Sequence, residues 1–128
     1  MTHSVLVVDD EPNIVLSLEF LMKKAGYTVR VARTGEEAMQ AIDAARPDLV
    51  LLDVMIPGRN GFEVCQAIRA DPALETVKIV MLTAKGREIE REKGMALGAD
   101  DYITKPFSTR DVVDRVRMLL ETGGGAPA

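Results

Sequence analysis

The chain has 128 residues, 47% of them hydrophobic, which is the size and apolar content of one domain with a proper core. A formal net charge of -4 supplies no broad positive field, which argues against direct contact with phosphate backbones. The single cysteine, Cys65, rules out an internal disulfide, and neither a signal peptide nor an apolar run of membrane length is visible, so a cytoplasmic location without membrane contact is expected.

The first strand is predicted over Val5 to Val8, and the chain leaves it through Asp9 and Asp10. Adjacent carboxylates after a buried strand repel each other unless something positive lies beside them. Pro12 suits the start of a helix carrying Ile14, Leu18 and Leu21 on one face, and Gly26 follows as a C-cap would. Val29 to Ala32 reads as the second strand, and Thr34 as the cap of a helix with Ala38, Ala41 and Ile42. The third strand, Leu49 to Leu52, runs into Asp53; the helix after it, with Val64, Cys65 and Ile68, closes at Asp71 and Pro72.

Val77 to Leu82 is the fourth strand and leads to Thr83. The charged run Lys85 to Lys93 reads as a solvated helix or loop, with Met95 and Leu97 as the apolar positions of helix four. Met22, Met39, Met81 and Met95 read as gap-filling core residues. Tyr102 and Ile103 form a fifth strand that reaches Lys105, and Ser108 with Asp111 resembles a capping box opening a helix with Val112, Val113, Val116 and Leu120. The boundary falls near Glu121, giving one domain over residues 1–121 and, in 122–128 with its GGGAPA sequence, a flexible tail or linker stump.

Nearly all-apolar middle strands are covered on both faces, and a regular strand-helix alternation with short loops gives a doubly wound α/β domain, a (βα)5 unit with a five-stranded parallel sheet. Ligands in such sheets bind beyond the carboxyl ends of the strands, where the strand order reverses. Asp9, Asp10, Asp53, Thr83 and Lys105 all sit at strand ends on that edge. Three carboxylates against one ammonium leave excess negative charge, which a hard divalent cation such as Mg²⁺ offsets. With the charge so balanced, a carboxylate can attack phosphorus, and Asp53 is the natural nucleophile.

The stretches VVDDEP, LLDVMIPGRNGFE, MLTA and ADDYITKPF, in this order over nearly the whole chain, resemble the receiver domain of two-component response regulators. The resemblance implies a flavodoxin-like sheet of order 2-1-3-4-5 and a phosphoacceptor regulatory domain rather than a conventional enzyme. Asp53 would take a phosphoryl group from the phosphohistidine of a sensor histidine kinase or phosphotransfer protein. Asp10 and Asp53 would bind Mg²⁺ directly, Asp9 through water, and Met55 through its backbone carbonyl. Lys105 would pair with a phosphoryl oxygen, Thr83 would donate its hydroxyl to another, and Tyr102 would turn inward as Thr83 moves. Lys105 and Pro106 resemble the family's cis peptide.

The charges on helix four, strand five and helix five, namely Arg91, Lys93, Asp100, Asp101, Asp111 and Arg115, resemble the dimerisation face of winged-helix transcriptional regulators. That implies a phosphorylation-dependent homodimer pairing Arg91 with Asp111 and Asp101 with Arg115; the plainer reading is a solvated face with local ion pairs. Met55 and Lys85, two residues after the acceptor and the threonine, offer no carboxylate or amide to orient water, so slow phosphate loss is expected. Two alternatives stand beside this reading: a Mg²⁺-dependent phosphohydrolase, which usually has an acidic residue where this chain has Met55, and an interaction module that is never phosphorylated.

Overall fold

A computed structural model describes residues 3–84 and 86–121; Lys85 and the expected tail, 122–128, lie outside the described residues. Five strands and five helices alternate: β1 (Ser4–Val8), α1 (Pro12–Lys24), β2 (Thr28–Ala32), α2 (Gly35–Ala44), β3 (Leu49–Asp53), α3 (Gly61–Ala70), β4 (Lys78–Ala84), α4 (Glu88–Ala96), β5 (Asp101–Lys105) and α5 (Thr109–Glu121), with one 3-10 turn at Pro72–Leu74. The strands form one parallel sheet in the order β2-β1-β3-β4-β5. The order reverses between β1 and β3, so the carboxyl ends of these two strands flank a crevice.

Strand periodicity divides the core in two. Val5, Val7, Leu49, Leu51, Val80 and Leu82 point to one face, where Leu18 and Met22 of α1 and Val112, Val116 and Leu120 of α5 cover them. Leu6, Val8, Val50, Leu52, Ile79 and Met81 point to the other, against Ala38 and Ile42 of α2 and Val64, Cys65 and Ile68 of α3. Central strands therefore need apolar residues at every position, which is why LVLL is continuous. Helix α4 approaches this second face closely enough that a Cβ on Gly94 would come within 3.0 Å of Met81 Cγ.

Local signals fix the helix ends. Thr34 Oγ1 accepts from Glu37 N at 3.1 Å, and Asn60 with Glu63 forms a complete capping box at α3. Gly26 takes a φ of 98° just past α1, a conformation glycine adopts without steric penalty. Ser108 makes only half of the expected box: its Oγ accepts from Asp111 N at 3.2 Å, while the Asp111 carboxylate bonds Arg115. Met95 departs from the expected core role, being 42% exposed on α4, whereas Met22 and Met81 are buried.

Register carries the polar strand ends to one edge. Asp53 lies opposite Leu82, so Thr83 stands one step beyond it on the neighbouring strand, and Ala84 lies opposite Lys105. The Lys105–Pro106 peptide is cis. No helix among the described residues is long and apolar enough to cross a membrane.

Candidate functional site

Asp9 follows β1 and is fully buried, although a carboxylate in that position would be unstable without donors. It has two: Glu11 N donates to Oδ1 at 3.0 Å, and Lys105 Nζ donates to Oδ2 at 2.8 Å. Asp53, the last residue of β3, is 7% exposed; Met55 N donates to its Oδ1 at 3.3 Å, and Lys105 Nζ lies 3.4 Å from its Oδ2. Asp10 remains exposed beside them. One carboxylate oxygen from each of Asp9, Asp10 and Asp53 fits within 4.8 Å of the others, close enough to share one ion.

The charge balance inside this group is poor. Burial, followed by the charge of Asp9, pushes the Asp53 carboxyl up to about 6, against the pull of Lys105 and the Met55 N–H. For Lys105, burial works against the ammonium form, but the hydrogen bond to Asp9 and the charge of Asp53 outweigh it and raise its pKa. One ammonium thus serves two carboxylates, and a third is without it. The donor set of oxygen atoms in a partly open cleft is the kind that suits Mg²⁺.

The cleft has a volume of about 380 Å³ and is bordered by Asp10, Asp53, Met55 and Lys105, with Arg87 and Glu90 closing the side formed by α4. The last two lie in the run that the sequence suggested was merely solvated. Thr83, 3% exposed, borders a second cavity of about 160 Å³ that extends to Tyr102 and Arg91. Tyr102 is held at its outer end: Arg91 Nη1 donates to its hydroxyl at 2.8 Å, and the Arg91 guanidinium lies 4.9 Å from the ring centroid.

Other charges of the α4–β5–α5 face make contacts within the chain. Arg115 bonds Asp101 at 2.9 Å and Asp111 at 3.0 Å, and Arg91 lies 3.5 Å from Glu88. Lys93 Nζ stands 4.7 Å from the Phe62 ring centroid. Asp100, grouped with these charges, also bonds within the fold: its carboxylate accepts from Arg69 of α3 and from Ile79 N, both at 2.8 Å, so it ties the start of β5 to β4 and α3.

A doubly wound sheet of this order with an acidic cleft at its switch point defines a class of proteins that bind at the carboxyl ends of β1 and β3. Residues 5–117 match the family model described as the response regulator receiver domain, and the chain belongs to that family. A protein assigned as a response regulator in Chloroflexus aurantiacus J-10-fl is 40% identical with a TM-score of 0.91, over 94% of this chain and 99% of that one. The chemotaxis response regulator CheY4 of Vibrio cholerae is 31% identical with a TM-score of 0.88, over 94% and 100% of the two chains. The BeF3-activated receiver domain of DrrB, an OmpR/PhoB homologue from Thermotoga maritima, is 32% identical with a TM-score of 0.85, over 94% and 99%. Receiver domains are regulatory phosphoacceptor domains, served by histidine kinases or phosphotransfer proteins, and they generally bind Mg²⁺ in an acidic pocket.

Proposed function

We propose that this chain is a phosphorylation-activated switch in which Asp53 accepts a phosphoryl group from the phosphohistidine of a sensor histidine kinase or a phosphotransfer protein. The observation that carries the reading is the meeting of Asp9, Asp10 and Asp53 with Lys105 in one cleft. Asp10, Asp53 and the Met55 carbonyl would hold Mg²⁺, with Asp9 joining through water. When bound, the ion supplies neutralising charge for the phosphoryl oxygens.

The chain's own residues account for the rest. Lys105 holds Asp9 and Asp53 in place and moves its charge towards the arriving phosphoryl oxygens. Thr83 donates its hydroxyl to another phosphoryl oxygen, and its displacement opens the shared cavity to the Tyr102 ring. Inward movement of Tyr102 gives up the bond to Arg91, so the α4–β5–α5 face changes with the site. The cytoplasm is where such a phosphoryl relay operates.

Incubation with acetyl phosphate and Mg²⁺, followed by intact-mass spectrometry, tests the reading directly. A phosphoryl adduct on the wild type and none on Asp53→Asn is expected; an unmodified wild type overturns it. Because Met55 cannot orient water, the adduct should decay slowly, and rapid release of inorganic phosphate would contradict this.

Dimerisation is a further part of the reading. Arg115 is engaged by Asp101 and Asp111 within the chain, so a two-fold pairing of Arg91 with Asp111 and Asp101 with Arg115 requires those bonds to exchange. Sedimentation with beryllofluoride and Mg²⁺ should show a dimer, and a monomer at high concentration would remove the proposal.

A further inference from the structure

The cleft contains a second ion pair that the phosphoacceptor reading leaves without a role. Arg87, the residue before the first turn of α4, donates through Nε at 3.2 Å and Nη2 at 3.1 Å to a single oxygen of Glu90. Both residues border the cleft with Asp53 and Lys105. Their exposure differs sharply: the Glu90 side chain is 14% exposed and that of Arg87 is 59% exposed. Glu90 is the sheltered end of the pair, and Arg87 is the end that faces incoming solutes.

The electrostatics of the cleft make that orientation matter. An anionic phosphodonor must approach Asp53 past Glu11 and Glu90, which border the cleft and repel it, whereas the charge of Asp10 would be taken up by Mg²⁺. Lys105 is turned inward, bonded to Asp9 and lying beside Asp53. Among the described residues bordering the cleft, Arg87 is the other cation, and its planar fork of N–H groups suits phosphoryl oxygens as well as it suits a carboxylate.

We propose that Arg87 receives the anionic phosphodonor, and that Glu90 tethers Arg87 beside the cleft and competes with the donor for it. The inference rests on the phosphoacceptor reading of Asp53 and assigns the entry step of that reaction. As an anionic donor enters, the guanidinium exchanges the Glu90 oxygen for donor oxygens and holds phosphorus towards Asp53. A carboxylate oxygen of Asp53 then bonds to phosphorus, and the bond from phosphorus to the donor's leaving atom breaks, the imidazole nitrogen in a phosphohistidine or the bridging oxygen in acetyl phosphate. With acetyl phosphate the bonding pair leaves on acetate, an acyl phosphate remains on Asp53, and no proton changes hands. Arg87 is thus a substrate-binding residue, and Glu90 is a positioning residue that acts through it.

The test is a double-mutant cycle on the rate of self-phosphorylation by acetyl phosphate with Mg²⁺, followed by intact mass, for wild type, Arg87→Ala, Glu90→Gln and the double variant, with thermal unfolding to verify the fold of each. Arg87→Ala should slow the reaction by about tenfold, the scale set by one charge-assisted fork contact, and Arg87→Lys should recover part of that loss. Glu90→Gln should accelerate it by about threefold, and this gain should vanish in the Arg87→Ala background.

Equal acceleration by Glu90→Gln in both backgrounds would mean that Glu90 acts only through its charge, which overturns the tether. An unchanged rate in Arg87→Ala overturns the donor site while leaving Asp53 as acceptor. A wild type that never gains a phosphoryl group, by contrast, removes the underlying reading itself.

Discussion

Aspartates stand at both edges of the sheet and do opposite things there. On the amino edge, Asp48 accepts from Ser4 N at 2.7 Å and Asp100 accepts from Ile79 N and Arg69, each at 2.8 Å. These carboxylates complete the hydrogen bonding of strand starts that would otherwise lack partners. On the carboxyl edge, Asp9, Asp10 and Asp53 crowd together, with Lys105 shared between two of them. The first set holds the fold together; the second is tolerated by it, and strain of this electrostatic kind marks a place kept for chemistry.

That contrast is broken most completely at the acceptor. Asp53→Asn should abolish the phosphoryl adduct and, by removing a carboxylate from a crowded buried group, raise the thermal midpoint of the metal-free protein by about 4 °C. The opposite pattern is expected on the amino edge. Asp100→Ala leaves Ile79 N and Arg69 Nη2 without their acceptor, while Arg69 Nε keeps the Gly98 carbonyl, and should lower stability by about 2 to 3 kcal/mol in urea unfolding, with phosphorylation within about twofold of wild type.

Acidity sharpens the comparison further. The Asp53 carboxyl is raised in the fold from 3.8 to about 6, so between those values the native state keeps a proton that the unfolded chain has released. Stability from this group is therefore present at low pH and lost as pH rises through about 6. Thermal midpoints of metal-free wild type should decline over that window relative to Asp53→Asn. Mg²⁺ stabilisation is also modest: at tenfold excess over Kd it amounts to about 1.4 kcal/mol, and Asp10→Asn should largely remove it in the same unfolding assay.

The sequence showed the strand ends well because burial on both faces imposes an unbroken apolar run, as in Val50, Leu51 and Leu52, and the first polar residue after it marks the edge. Receiver motifs at those edges make the acidic cluster readable in the sequence alone. The full length of edge strand β5 is not legible in the sequence because Thr104 is exposed and Tyr102 and Lys105 are only half-buried. Helix α4 was harder still: Ile89 is 80% exposed and Met95 42%, so its few apolar residues do not reveal which side faces inward. Arg87 and Glu90 consequently look like ordinary surface charges, although Arg87, just before α4, lies close enough to Glu90 in its first turn to pair with it. The bonds of Asp100 are illegible for a different reason, since Arg69 lies 31 residues away and only tertiary packing brings the two together.

Parallel register has a further consequence for anyone re-engineering the domain. Lys105 reaches its partners because it lies opposite Ala84, one step past Thr83 on the adjoining strand. Loops linking the strands can lengthen without disturbing that match, since the ladder and not the contour length sets where each side chain arrives. Deleting one residue within β5 instead slips the strand by one step and turns Lys105 to the opposite face of the sheet. Insertions in the connections and deletions in the strands, though equal in size, are therefore unequal edits: the former preserve a working cleft, and the latter leave Asp9 without its cation.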